Sequence, residues 1–379
     1  MAPRMNTAAR HVYVHVPFCA RRCSYCDFSI AVRRDVPVTE FLDALRSELR
    51  ARLGETGVRQ PIDTLYFGGG TPSHLGVDGV TRMLDLMREF FEWSAAAEVT
   101  LEANPDDVTS PATLAWRAAG VTRVSLGAQS FDPRVLDWMH RSHSAPQIDF
   151  AVDLLRDGGF ASWSFDLIFA LPASLGRDWQ RDLDLALAKE PPHLSLYGLT
   201  VEPGTPLGRW SERGEIEASD ETGYELEFLS AHAGATAAGF DHYEVSNFAQ
   251  PGHHAVHNRS YWRGVPYFGF GPSAHGFDGS TRRWNRAAYA AWRDAATAGT
   301  DPVAGSEFIG SGEASLETVY LGLRTTSGLP IGVADREMVQ PWIAAGWATM
   351  HNERVVLTPL GWLRLDSLAA TLTPATGSR

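Results

Sequence analysis

Cysteine is scarce in this chain of 379 residues: there are three, an odd number that cannot pair off into a disulfide framework. Positive charge is also short, with 33 lysines and arginines against 45 aspartates and glutamates and a formal net charge of −12. That balance argues against a nucleic-acid surface, because such partners reward an excess of cations. Long apolar runs are missing too. Nothing approaches the roughly 18 residues that span a bilayer, and the opening MAPRMNTAAR lacks the apolar stretch of a secretory leader; Met5 is an alternative start. The expected compartment is the reducing cytoplasm, with no transmembrane segment and no nucleic-acid partner. What remains, 44% hydrophobic and 21% charged residues, is the composition of a globular protein with one large domain and a smaller one.

Six short β-rich runs recur along the first 200 residues: HVYVHV, DTLYF, EVTLEA, TRVSLGA, SWSFDLIF and HLSLYGL. Between them lie helical patterns such as TEFLDALRSELRARL and DGVTRMLDLMREFF, apolar at helical spacing and ended by Pro or Gly. This alternation implies β-α-β units and a parallel sheet, doubly wound or curved into a full or partial barrel. The expected domains are a core over 11–235, an aromatic and histidine-rich extension over 236–305, and a small winged-helix-like C-terminal domain over 306–372. Residues 1–10 and 373–379 are expected to be disordered.

Ligands of parallel α/β folds gather at the carboxyl ends of the strands. Here those ends carry the cysteine loop, then GGGTPS (Gly68 to Ser73), Glu102, Gln129 and Asp166. Five polar ends on one rim read as a site. The cysteines themselves, Cys19, Cys23 and Cys26, fall within eight consecutive positions as C-x3-C-x2-C. A closed tetrahedral zinc site needs a fourth ligand, which would fall to His11, His15 or a distant histidine. A 4Fe-4S cluster on three thiolates leaves one iron open for reaction.

C-x3-C-x2-C with an aromatic, Tyr25, just before the third cysteine resembles the radical S-adenosylmethionine (SAM) superfamily. The resemblance implies that SAM chelates the open iron, and that one electron from the reduced cluster cleaves it to a 5′-deoxyadenosyl radical. The ordered segments YVHVPFC, GGGTPS, LEANP, RVSLGAQSF, DLIFALP, LYGLTVEPGT, HYEVSNFA and HNRSYW are similar to the oxygen-independent coproporphyrinogen III oxidase group over almost the whole chain. That resemblance implies a partial, TIM-like barrel of six β/α units with a C-terminal domain. It implies SAM contacts at Tyr13, Gly69, Gly70, Thr71 and Glu102, with Tyr25 toward adenine. Gln129, Arg141 and Asp166 form a second polar set, and Thr200 joins the positions where some members hold a second SAM. A plain reading of Arg141 and Asp166 is instead a core ion pair. Ala170 stands where the group commonly has glycine.

The group has two branches. The oxidative decarboxylases usually carry a further cysteine at the position of Phe28; the branch without it, with an HNxxYW motif, is that of the heme chaperones (HemW). His257, Asn258, Tyr261 and Trp262 match that motif. The resemblance therefore implies a heme chaperone with 4Fe-4S cluster, SAM and heme as cofactors, and recipient hemoproteins and an electron donor as partners. An imidazole is a competent axial ligand of heme iron, which makes His257 the candidate heme ligand with His253 and His254 as rivals; the plainer reading has His257 and Asn258 hydrogen-bonding inside an aromatic-rich domain. It also allows peripheral membrane contact. The alternatives are a radical coproporphyrinogen III oxidase and a zinc-stabilised interaction protein.

Overall fold

The computed structural model describes residues 9–54, 59–332 and 335–372. Of the ends expected to be disordered, 1–10 and 373–379, residues 1–8 and 373–379 lie outside them; Ala9 is buried and Arg10 pairs with Asp63 (2.6 Å). Six strands, β1 (His11–Val16), β2 (Thr64–Gly69), β3 (Glu98–Ala103), β4 (Arg123–Gln129), β5 (Ser162–Phe169) and β6 (His193–Gly198), pair in parallel in sequence order. Three of them, β1, β3 and β5, coincide residue for residue with the runs picked out by β-branched and aromatic content. Both faces are covered, so these strands read as nearly continuous apolar runs.

The intervening helices are α1 (Val38–Leu53), α2 (Gly76–Phe90), α3 (Ser110–Ala119), α4 (Pro133–Trp138), α5 (Ala145–Asp157) and α6 (Trp179–Leu187). Each turns one stripe inward. In α2, Val80, Met83, Leu84 and Met87 are fully buried at helical spacing, and each such side chain contributes about 1.5–3 kcal/mol by leaving water. Side-chain caps fix several starts: Thr109 accepts from the Ala112 N–H, Asp178 from the Arg181 N–H, and Ser144 with Gln147 forms a capping box.

After α7 (Pro206–Glu212) and α8 (Glu221–Ala237), the extension supplies strands to both edges of this sheet. β7 (Asp241–Glu244) and β8 (Asn247–Ala249) add an antiparallel pair beside β6. The chain then crosses in α9 (Val256–Trp262), and β9 (Tyr267–Phe270) enters beside β1, in parallel with it. β10 (His275–Phe277), β11 (Thr281–Asn285) and β12 (Val303–Phe308) continue outward, antiparallel, with α10 (Tyr289–Thr297) between the last two. The result is an open sheet of twelve strands in the order β7-β8-β6-β5-β4-β3-β2-β1-β9-β10-β11-β12. Its ends do not pair with each other, so the curved core is a partial barrel.

A buried carboxylate fastens the added edge to the core. Glu48 on α1 is fully buried and accepts from Arg52 Nη1 (2.8 Å), the Gly271 N–H (2.9 Å), Asn285 Nδ2 (2.7 Å) and Trp292 Nε1 (2.9 Å). Gly271 has a φ of +92°, and a Cβ there would meet the His15 carbonyl at 2.3 Å, so only glycine fits this crossing.

The C-terminal segment folds as α11 (Ser311–Leu323), β13 (Leu329–Pro330), α12 (Arg336–Ala344), the hairpin β14 (Ala348–His351) and β15 (Arg354–Leu357), α13 (Pro359–Trp362) and α14 (Leu365–Leu372). Its three strands form their own antiparallel sheet. Trp362 ties this unit inward, donating to the Leu323 carbonyl (3.1 Å) and meeting the His242 ring edge-on at 4.5 Å. Among the described residues no helix is long and apolar enough to cross a membrane.

Ala170, just past β5, has a φ of +56°, where an L-residue costs about 1–2 kcal/mol and glycine costs little. This accounts for the family's glycine. Ala170→Gly is therefore expected to leave stability unchanged or raise it by up to about 1 kcal/mol, where an ordinary helical alanine would lose about that much. Urea unfolding reads the difference; a loss of a full kcal/mol would contradict the strain argument.

Candidate functional site

The carboxyl ends of β1 to β6 enclose a cavity of about 440 Å³. Of the residues assigned from the sequence to the cluster and SAM, all line it except Tyr13; Gly68 and the HNxxYW residues, His257 among them, do not. The cluster loop covers one side. It leaves β1 through a two-residue strand, Phe18–Cys19, paired in parallel with Ala31–Val32. The loop is pinned from below and from the side. The Ser24 N–H donates to the Met139 carbonyl (3.1 Å), the Leu207 N–H to the Ser24 carbonyl (2.8 Å), and His15 Nε2 bonds the Ser29 carbonyl (2.9 Å). Burial holds His15 neutral, its pKa lowered to about 4.

Cys19 is buried, and Cys23 and Cys26 are half-buried. Burial pushes the Cys19 thiol up and that of Cys26 to about 11. Two donors face the sulfurs: Thr71 Oγ1 to Cys19 Sγ (3.4 Å) and Arg141 Nη1 to Cys23 Sγ (3.4 Å). Both bonds strengthen once the thiols are deprotonated. Among the described residues no three His, Cys, Asp or Glu side chains form a single-ion site. His15, a candidate fourth zinc ligand, is already committed to Ser29, and His11 Nδ1 is bonded to Thr64 Oγ1 (2.9 Å). Three thiols on one wall, with cationic and hydroxyl donors directed at them, fit the donor set of a 4Fe-4S cluster, in which each thiolate takes a different iron.

The opposite wall is acidic and half-buried. Glu102 on β3 accepts from the Tyr66 hydroxyl (2.8 Å) and the Gly69 N–H (3.1 Å), and burial raises its pKa to about 7. Asp166 on β5 accepts from Ser125 Oγ (3.0 Å), and burial raises its pKa to about 6. Arg141 and Asp166 are not a core ion pair. Arg141 instead bonds Cys23, Asn104 Oδ1 (2.5 Å) and the Gly127 carbonyl (2.8 Å). Gln129 ends β4 at a φ of +66°, Tyr25 packs against Val135, Met139, Ile168 and Leu171, and Thr200 lies exposed at the rim.

The three glycines serve the protein's own packing first. A Cβ on Gly69 would sit 2.5 Å from the His15 ring, one on Gly70 2.7 Å from the Pro17 backbone, and one on Gly68 2.8 Å from Glu102. Their bareness lets β2 pass between the cluster loop and Glu102. Sequence reasoning missed Tyr66, Ser125, Gly127 and Tyr197, which also line the cavity. The signal was available: Tyr66 lies two residues before Gly68, and Ser125 and Gly127 lie four and two before Gln129, which in a strand is the same face.

Tyr13 and His257 lie deeper. Tyr13 stacks on Tyr66 at 6.0 Å and reaches the site only through its hydroxyl, 3.3 Å from His15 Nδ1. His257 sits at the other end of the barrel. Its Nδ1 bonds Thr64 Oγ1 (2.7 Å), its Nε2 bonds the Tyr261 hydroxyl (2.9 Å), and its backbone N–H donates to Glu98 Oε1 (2.8 Å). Thr64 and Glu98 are the first residues of β2 and β3, so α9 closes the amino end of the barrel. The imidazole is 1% exposed, and burial lowers its pKa to about 3. In this arrangement neither ring nitrogen is free for iron. Of the rival histidines, His254 stacks on Tyr243 at 4.2 Å and bonds Asp241 (3.3 Å).

Phe28 is 61% exposed on the cavity wall, beside the thiols. Residues 13–186 match the radical SAM superfamily model. The chain is 40% identical to a heme chaperone HemW of Mycobacterium tuberculosis over 95% of this chain and 94% of that protein. It is 36% identical to a HemW of Synechocystis over 86% of this chain and 79% of its relative. The solved structure of coproporphyrinogen III oxidase (HemN) from Escherichia coli, a radical SAM enzyme, superposes with a TM-score of 0.79 at 22% identity, covering 98% of this chain and 92% of that one; this establishes the shared fold. With a thiol-lined cavity at the barrel mouth and kinship along almost its full length, the chain belongs to the HemW family of the radical SAM superfamily.

Proposed function

We propose that this protein is a heme chaperone: it binds a 4Fe-4S cluster through Cys19, Cys23 and Cys26, SAM beside it and heme, and delivers the heme to hemoproteins. The observation that carries this reading is the likeness to proteins named heme chaperones, 40% identical across 95% of the chain. Phe28 agrees with it, because the wall position that a further thiol would occupy presents an exposed aromatic ring. When bound and reduced by an electron donor, the cluster supplies one-electron chemistry toward SAM.

The chain's own part is binding and orientation. Gly69, Gly70 and Thr71 present backbone and hydroxyl groups beside Cys19, while Arg141 holds Cys23 and shapes the floor through Asn104 and Gly127. Glu102, Gln129, Asp166 and Thr200 offer acceptors for an ammonium group and ribose hydroxyls, and Tyr25 offers a ring for adenine. Tyr13 orients His15 and through it the loop.

Glu102 makes SAM binding pH-dependent. Below about 7 its carboxyl is protonated, and above it the charged form accepts from a cationic ligand. Raising the pH from 6 to 7.5 is therefore expected to tighten SAM binding severalfold, up to roughly tenfold, and Glu102→Gln to flatten that rise. Calorimetry on the cluster-loaded protein measures it; an unchanged slope in the variant would remove Glu102 from the ligand set. The sign for folding is opposite. A carboxyl whose folded pKa is raised costs stability as pH climbs from its ordinary range through about 7.

Incubating the reconstituted protein with coproporphyrinogen III, SAM and an electron donor separates the chaperone from the oxidase. No protoporphyrinogen IX is expected. Its formation would replace the chaperone by the radical decarboxylase.

A further inference from the structure

A second cavity, of about 520 Å³, lies away from the cluster and shares no lining residue with the first. It is in the size range of small-molecule sites. One wall is the sheet of the extension, where Tyr267, Phe277 and Arg282 are successive cross-strand neighbours on β9, β10 and β11. The facing wall is α11, with Leu316 and Tyr320, and Tyr261 of the HNxxYW motif stands at one side. Tyr261 and Tyr267 meet edge to face at 4.7 Å. The space is thus flat-walled, aromatic and apolar, with one guanidinium at its edge.

The polar groups of the lining differ in how far they are committed. The Tyr261 hydroxyl is held by His257 (2.9 Å), the Tyr320 phenol is influenced by the nearby Asp366 and Arg324, and Glu317 is paired with Arg282 (2.8 Å). Arg282 also bonds Glu307 (3.0 Å), which still leaves donors on its five-hydrogen fork. Among the described residues the Tyr267 phenol has no hydrogen-bond partner, and phenolate is an established ligand of ferric heme. A tetrapyrrole meets each of these features: a flat apolar face for the rings, a carboxylate for the guanidinium, and an iron for the free phenol.

We propose that heme seats in this second cavity, with the Tyr267 oxygen as iron ligand and Arg282 facing a propionate. On ligation the phenol gives up its proton to water. His257 is then a positioning residue, bracing Tyr261 from inside the barrel so that its ring forms the cavity wall. This site deepens the chaperone reading and rests on it.

Hemin titration of the full-length protein tests both separately. Wild type is expected to show the charge-transfer absorption of a ferric phenolate. Tyr267→Phe should lose that band and bind hemin at least roughly tenfold more weakly, and Leu316→Trp, which fills the cavity, should block uptake. Both variants should still assemble the cluster on reconstitution with iron and sulfide, which shows that they fold. His257→Ala should keep the phenolate band. Wild-type binding in both Tyr267→Phe and Leu316→Trp would overturn the cavity assignment and leave the chaperone standing. Loss of ligation in His257→Ala alone would also overturn it, in favour of imidazole. Wild type that takes up no heme would overturn the cavity and the chaperone together.

Discussion

Cys26→Ala is expected to bring iron and sulfide uptake on anaerobic reconstitution down to background and to abolish SAM binding with it. Cys19, Cys23 and Cys26 are all the thiols in the chain, so no neighbouring cysteine can substitute for a lost ligand. The remaining two would leave two irons open, and a cluster so held is lost to solvent. The fold itself should survive, because the loop is anchored independently of metal by Ser24, Leu207 and the His15–Ser29 bond. Circular dichroism of the variant should therefore match wild type while iron analysis and the brown absorption differ. A variant that keeps a full cluster would mean the thiols are not the ligands.

The second large effect is on stability. Removing the Glu48 carboxylate with Glu48→Ala leaves the Arg52 guanidinium buried without its ion partner and strands the Gly271, Asn285 and Trp292 donors in a dry interior. Breaking a buried pair in this way costs about 3–5 kcal/mol. Glu48→Gln keeps an acceptor and should cost less. Urea unfolding measures both; a loss below 1 kcal/mol in Glu48→Ala would mean that the outer edge of the sheet is held by apolar packing alone.

These two residues also show what the sequence could and could not tell. The core strands were legible because each is a short β-rich run bounded by turns, and the cysteine loop, Glu102, Gln129 and Asp166 then had to converge, since parallel strands bring their carboxyl ends to one rim. Glu48 carried no such signal. Within α1 it looks like one more surface charge, and its burial depends on Gly271, Asn285 and Trp292, which lie more than 200 residues away. The same holds for β9. YFGF is too short and too aromatic to be told from a loop, and its parallel place beside β1 follows only from the crossing of α9.

His257 is the most instructive position. A motif match marks it as special without saying at which end of the barrel it lies. Its surroundings are set by Thr64 and Glu98, 193 and 159 residues earlier in the chain. There the imidazole is a buried, neutral link between a threonine and a tyrosine, and the hydroxyl it holds belongs to a wall of the second cavity.

The most direct test of the chaperone reading is transfer. Cluster-loaded protein carrying one heme is mixed with an apo-hemoprotein, and the Soret band is followed. The spectrum is expected to move from that of the chaperone to that of the acceptor, with heme recovered on the acceptor after separation. Heme that stays on this chain, with the acceptor still empty, would contradict delivery.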